Sequence, residues 1–265
     1  MMQLWDLHRG DSPLIIDVPH AGTELPAALR PRLTPQALAV PDTDWHVDRL
    51  YAFARESAIT LLCATQSRYV VDLNRDPTGA ALYAGADNTE LCPTRTFANE
   101  PVYVEGAAPT RAEVAARVDA YFTPYHAVLA GEIELIHARY GYVVVLDGHS
   151  IRGEVPRFFA GHLPDLNLGT ADGASCASQL QRDAANVLGA ATTFSHVENG
   201  RFKGGYITRH YGKPAQGIHA LQLEVAQDCY MDEAPPYRYD EARAADLIAV
   251  LCALTVTLQA WRPAR

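Results

Sequence analysis

Two runs of apolar residues along this chain end in the same way. Leu14-Ile15-Ile16-Asp17-Val18 leads into Pro19-His20-Ala21-Gly22, and Gly141-Tyr142-Val143-Val144-Val145-Leu146 leads into Asp147-Gly148-His149-Ser150. Short apolar runs of this kind, bounded by glycine and proline, predict strands buried on both faces, as in a parallel sheet covered by helices. Ligands and chemistry in such sheets collect at the carboxyl ends of the strands. Each run therefore delivers a histidine to the rim, and two histidines at one edge suggest a shared metal.

The remaining pattern alternates between helical and extended periods. A short helix is expected over Thr34–Val40, then a helix capped by Asp42 or Thr43, with Asp44 in its first turn and Val47, Leu50, Tyr51 and Ala54 facing inward. Ile59–Ala64 and Tyr69–Leu73 read as strands, and from Asp76 to Pro109 no period holds, which marks a lid or binding loop. Thr110-Arg111-Ala112-Glu113 is a capping box. The helix it opens carries Val114, Val118, Tyr121, Tyr125, Leu129, Ile133 and Ile136 on one face, with Pro124 expected to kink or divide it and Gly141 to stop it. After an irregular stretch over 150–173 come a helix over Ala174–Leu188, short strands at Thr192–Ser195 and Tyr206–Arg209, and a strand over Ile218–Val225 whose alternation places it nearer the sheet edge. Tyr239–Trp261 is the closing helix. With no repeat and no linker, residues 1–265 are expected to form one α/β domain with a mixed, mostly parallel β-sheet flanked by helices.

Composition narrows the class of partner. A formal charge of −9 argues against nucleic acid and anionic membrane surfaces, while leaving room for a small anionic substrate held by a few arginines. The five cysteines are odd in number and widely spaced, without a Cys-x-x-Cys pair, and read as reduced thiols in a cytoplasmic protein. Leu247–Leu258 is apolar but carries threonines and is too short to span a bilayer. Oligomeric state is not legible from these features.

Four polar clusters fall at predicted strand ends: His20, Asn74-Arg75, Asp147-Gly148-His149 and Glu224. A guanidinium beside an amide suits a carboxylate, since both present donors in fixed geometry. Glu224 is the lone charge within Leu221-Gln222-Leu223-Glu224-Val225. Burial raises a carboxyl pKa toward neutrality and suits it to proton transfer. Gly148-His149-Ser150-Ile151-Arg152 comes close to a nucleophile elbow but has arginine at its fifth position, which counts against a serine hydrolase.

The order of these clusters resembles the zinc carboxypeptidase and aspartoacylase superfamily. More closely, Pro19-His20-Ala21-Gly22, Asp42-Thr43-Asp44-Trp45-His46, Asp72-Leu73-Asn74-Arg75, Leu82-Tyr83, Asp147-Gly148-His149-Ser150, Phe202-Lys203-Gly204-Gly205-Tyr206-Ile207-Thr208-Arg209 and Leu223-Glu224 resemble the N-formylglutamate amidohydrolase family. That resemblance implies hydrolysis of N-formyl-L-glutamate to formate and glutamate in histidine degradation, with a divalent metal, Zn²⁺ first, held by His20, His149 and a carboxylate. The superfamily's His-x-x-Glu pair is absent, because position 23 is Thr23 and Glu24 follows His20 by four. Asp44 is the favoured third ligand, with Glu24 and His46 as alternatives. Glu224 is the expected proton shuttle, and Arg75 or Arg209 the cation beside the oxyanion. Asn74-Arg75 is expected to hold one substrate carboxylate and Arg201, Lys203 or Arg209 the other, with Asp147 orienting a ligating histidine. Two alternatives stay open: a metal-dependent deacylase or carboxypeptidase for another N-acyl amino acid, and a non-catalytic carboxylate-binding protein.

Overall fold

A computed structural model describes residues 3–82 and 87–263 of the chain, so Tyr83 of the Leu82-Tyr83 pair lies outside the described residues. Its strands are β1 (Trp5–His8), β2 (Leu14–Val18), β3 (Thr60–Ala64), β4 (Val143–Ile151), β5 (Leu166–Gly169), β6 (His196–Glu198) and β7 (Ile218–Ala226). They form one seven-stranded sheet in the order β1-β3-β2-β4-β7-β5-β6. The central strands β3, β2, β4 and β7 run parallel, while β1 and β5 are antiparallel to their inner neighbours. From β2 the chain first builds outward to β3 and later returns to place β4 on the other side of β2. This reversal puts a crevice outside the carboxyl ends of β2 and β4, the usual place for a ligand in such sheets.

Period-two alternation splits these strands between two cores. Leu14, Ile16, Val144, Leu146, Leu221 and Leu223 pack beneath α5 (Ser178–Ala190) and α7 (Glu241–Ala260). Ile15, Val143, Val145 and Ala220 face the opposite side, against Tyr125, Leu129, Ile133 and Ile136 of α4 (Thr123–Tyr140). Each such aliphatic side chain contributes roughly 1.5–3 kcal/mol when fully withdrawn from water. On the α4 side the row turns polar toward the carboxyl ends, where Asp17, Asp147, His149, Gln222 and Glu224 continue the same face.

The shorter helices are α1 (Pro35–Leu38), α2 (Val47–Leu50), α3 (Arg111–Arg117) and α6 (Tyr206–Tyr211). Thr110 caps α3 reciprocally with Glu113, as the motif predicts. Between α3 and α4 lies a π turn, Val118–Phe122, and Pro124 sits in the first turn of α4. A proline has no N–H to donate and crowds the preceding turn, and the widened turn accommodates both effects.

Several expectations are corrected. Tyr69–Leu73 is buried but is not a strand: Val70 N donates to Ser67 O and Asp72 N to Leu91 O, so the segment is a tightly held loop. Tyr206–Tyr211 is helical, with Ile207, Thr208 and Tyr211 inward at helical spacing. The expected strand at Thr192–Ser195 is displaced to His196–Glu198, and β1 and β5 were not anticipated. Ile218–Ala226 is an interior strand between β4 and β5. Its polar alternate residues face the crevice rather than solvent, which is why it reads as an edge. Asp44 lies in the loop before α2 instead of in a helical turn.

Candidate active site at the carboxyl ends of the central strands

Strand register builds the centre of the site. Along β4 and β7, Asp147 lies opposite Gln222 and His149 opposite Glu224, so four polar side chains share one face of two neighbouring strands. Gly148 points to the other face, where an added Cβ would meet the Tyr51 ring at 2.7 Å. His20 arrives from β2 through Pro19, and the His20 and His149 ring centroids are 4.9 Å apart. The Asp44 loop is tied to both: Asp44 N donates to His20 O at 3.1 Å, and Ser150 N donates to the Asp44 carboxylate at 3.1 Å.

His20, Asp44 and His149 are all buried, and one ligand atom from each falls within 4.8 Å of the others. His149 Nδ1 lies 2.9 Å and His20 Nδ1 3.8 Å from Asp44 Oδ2. The opposite ring nitrogens have their own carboxylates, Asp72 at 2.7 Å from His20 Nε2 and Asp147 at 2.8 Å from His149 Nε2. A carboxylate behind each imidazole fixes the ring and holds a proton on Nε2. His20 Nδ1 then carries a lone pair, while His149 Nδ1, facing Asp44 Oδ2, carries a second proton that a bound ion would replace. Two imidazoles, each oriented by a carboxylate behind it, and the Asp44 carboxylate make a donor set that fits a divalent ion of the zinc type. One further group contacts these donors. Arg68 Nη2 packs against His20 Nδ1 and donates to Asp44 Oδ1 at 3.1 Å. Because Nδ1 has a single lone pair, an ion held there takes the contact that the guanidinium makes in this structure.

The electrostatics follow from burial. His20 is lowered to about 4 by burial and by Arg68, which keeps it neutral. His149 moves well above its ordinary value because Asp147 and Asp44 outweigh the effect of burial. Glu224 is pushed up to about 8, first by burial and then by Asp44 and Asp147, against the pull of His149 and Arg68. Gln222 is oriented by its neighbours: its Oε1 accepts from Gly205 N at 2.7 Å, which leaves Nε2 to face Glu224 Oε2 at 3.4 Å.

The crevice opens into a cleft of about 580 Å³, part of it continuous with solvent. His20, Arg68, His149 and Glu224 form its floor, Arg75 and Arg201 its cationic lining, and Phe97, Phe158 and Phe202 its aromatic walls. Arg75 is oriented by Thr89 Oγ1 at 2.8 Å and by Asn74 O at 3.0 Å. Arg201 lies over the Phe202 ring at 5.4 Å.

Of the residues singled out from the sequence, His20, Asp44, His149, Asn74, Arg75, Arg201 and Glu224 converge on this region. Four others do not. Glu24 is exposed and borders a different surface depression. His46 turns away, its Nε2 2.7 Å from Tyr237 O. Lys203 pairs with exposed Asp172 at 3.0 Å, and Arg209 faces a separate depression beside Asp76 and His210. The sequence reading missed Arg68, Asp72 and Gln222 as site residues. Asp72 and Gln222 could have been found from spacing, since each lies two positions before a residue already chosen, but Arg68 carried no local signal.

The sequence profile of the N-formylglutamate amidohydrolase family matches residues 12–231. An N-formylglutamate deformylase of Pseudomonas putida is 46% identical over 261 residues, covering 98% of this chain and 97% of that protein. One from Pseudomonas aeruginosa is 47% identical, with 98% of each covered. Among solved structures, N-formylglutamate amidohydrolase from Ralstonia eutropha JMP134 superimposes with a TM-score of 0.81 at 27% identity, covering 97% of this chain and 98% of that one. With matching profile, near full-length identity and the same fold, the chain belongs to the N-formylglutamate amidohydrolase family.

Proposed function

We propose that this protein hydrolyses N-formyl-L-glutamate to formate and L-glutamate with the aid of a divalent metal, Zn²⁺ by the nature of its donors. The observation that carries the reading is the meeting of His20, Asp44 and His149 beside Glu224 at the floor of a cleft lined by arginines. When bound, such an ion acts as a Lewis acid and brings the pKa of water toward neutrality. His20, Asp44 and His149 would hold it.

Glu224 is the proton carrier. Burial holds its carboxyl above the ordinary range, and a cation bound beside it would draw it back toward the ionised form that takes a proton from the attacking water and later releases it. Water oxygen bonds to the formyl carbon, the carbon–nitrogen bond breaks, and the proton on Glu224 passes to the departing amine. Formate keeps the water oxygen and glutamate leaves as the amine. The negative charge that develops on the formyl oxygen is met by Arg68, with Arg75 nearby. Aimed donors of this kind act strongly in a site shielded from water. Arg75 and Arg201, both bordering the cleft, serve the two carboxylates of the substrate. Lys203 and Arg209 have no part in this proposal, because neither borders the cleft.

The proposal extends to a single catalytic domain acting in the cytoplasm in histidine breakdown. The five cysteines are all free thiols, as suits a reducing compartment. No helix among the described residues is long and apolar enough to cross a membrane. Formate release by the purified protein tests the proposal. Stripping with a chelator should abolish turnover of N-formylglutamate and added Zn²⁺ should restore it. Full turnover by metal-free protein would overturn the metal mechanism, and faster turnover of N-acetylglutamate or N-acetylaspartate would move the protein to another acyl amino acid.

A further inference from the structure

Asn74 precedes Arg75 in the pair expected from sequence to grip a substrate carboxylate, yet its hydrogen bonds are committed within the protein. Its Oδ1 accepts from Ile207 N at 2.7 Å. A backbone N–H can only donate, so this contact sets the orientation of the amide and sends Nδ2 the other way. There Nδ2 donates to Asp147 Oδ2 at 3.0 Å and lies 2.8 Å from His149 Nε2. His149 Nε2 is in turn 2.8 Å from Asp147 Oδ1. The amide and the imidazole thus share one carboxylate, each donating to a different oxygen, which leaves Asp147 no rotation that satisfies both differently.

The backbone of the same residue reaches the other histidine. Asn74 N donates to Asp72 Oδ1 at 2.9 Å, the oxygen that faces His20 Nε2 at 2.7 Å. One residue therefore touches the carboxylate behind each of the two imidazoles. It is only 2% exposed. It is also approached closely by the residue before α6, since a Cβ added at Gly205 would lie 2.4 Å from Asn74 Nδ2.

We infer that Asn74 is a positioning residue for the ion site: acting through Asp72 and Asp147, it sets the ring orientation of His20 and His149, and so governs metal affinity rather than substrate affinity. This rests on the ion site proposed above. The amide is held by Ile207 N and Asp147, so substrate recognition by this pair falls to Arg75 alone.

The full-length protein tests this by competition for Zn²⁺ against a chromophoric chelator, with KM and kcat measured separately at saturating Zn²⁺. Asn74→Asp keeps the size and the acceptor for Ile207 but sets a second carboxylate against Asp147. Asn74→Ser removes the amide without adding charge and carries the test if the aspartate variant does not fold. Each should lower Zn²⁺ affinity on the order of 10–100-fold, the range for partners of metal ligands, while KM of the metal-loaded enzyme stays near the wild-type value. Variants that bind Zn²⁺ as tightly as wild type, with KM raised, would overturn the inference and return Asn74 to the substrate. Failure of the wild-type protein itself to take up Zn²⁺ would overturn the ion-site reading, and this inference with it.

Discussion

Glu224 owes its chemistry to its address on β7. Two positions earlier the same face carries Gln222, four earlier the apolar Ala220, and across the strand pair stands His149. Burial that would be a liability elsewhere here raises the carboxyl to about 8. Replacing it by glutamine keeps the shape and removes the ability to accept a proton. Glu224→Gln should lower kcat by roughly 10²–10⁴-fold, the usual range for losing a general base, with Zn²⁺ uptake unchanged; steady-state kinetics alongside metal titration would check it. Glu224 was legible in the sequence because a charge inside an apolar strand is conspicuous. Arg68 was not, because its partners His20 and Asp44 lie 48 and 24 positions away. Lys203 and Arg209 looked equivalent to Arg201 by composition, and only the fold separates the residue that borders the cleft from the two that do not.

At the scale of elements, β2 and β4 were readable because continuous apolar runs have few other uses. β1 and β5 were not, since Trp5-Asp6-Leu7-His8 and Leu166-Asn167-Leu168-Gly169 are too short to establish a period. The alternation in Ile218–Ala226 was seen correctly and assigned to the wrong cause, because polar residues facing a buried site look the same on paper as polar residues facing water. The junction of β2 with α4 offers a direct test of how such buried polar positions are kept. Asp17 is fully buried, and its Oδ1 accepts from Tyr125 Oη at 2.6 Å. Burial and then Asp147 push its carboxyl well above the ordinary range. Tyr125→Phe removes the donor while preserving the ring, so denaturant unfolding should show a loss of about 1–3 kcal/mol, the cost of stranding a buried acceptor. An unchanged midpoint would show that Asp17 does not depend on Tyr125.

Across the whole molecule, the cleft is closed over by chain segments distant in sequence. Arg157 forks onto the Asp87 carboxylate at 2.8 and 3.0 Å and donates to Thr96 O at 2.8 Å. It thereby joins the segment carrying Phe97 to the one carrying Phe158, and these two rings stand 5.1 Å apart in the cleft wall. Half-exposed Asp87 makes this a weak contributor to folding, within about 1 kcal/mol. Arg157→Ala should therefore leave the melting temperature nearly unaltered while raising KM several-fold with little change in kcat, as expected for a contact that shapes binding alone. Equal KM would mean that the walls hold without the clamp. The long aperiodic stretch reads from sequence as a lid or binding-loop candidate, but nothing in its composition shows what it fastens to.

The mutual register of β4 and β7 has a genetic corollary. A slip of one residue in either strand would exchange His149 with Gly148, or Glu224 with Leu223, and at the same stroke turn Val144, Leu146 or Leu221 out of their packing. Single-residue insertions or deletions within these two strands should therefore seldom yield a folded but inert enzyme. Such silent proteins are to be sought instead among point substitutions of the polar residues at the strands' carboxyl ends.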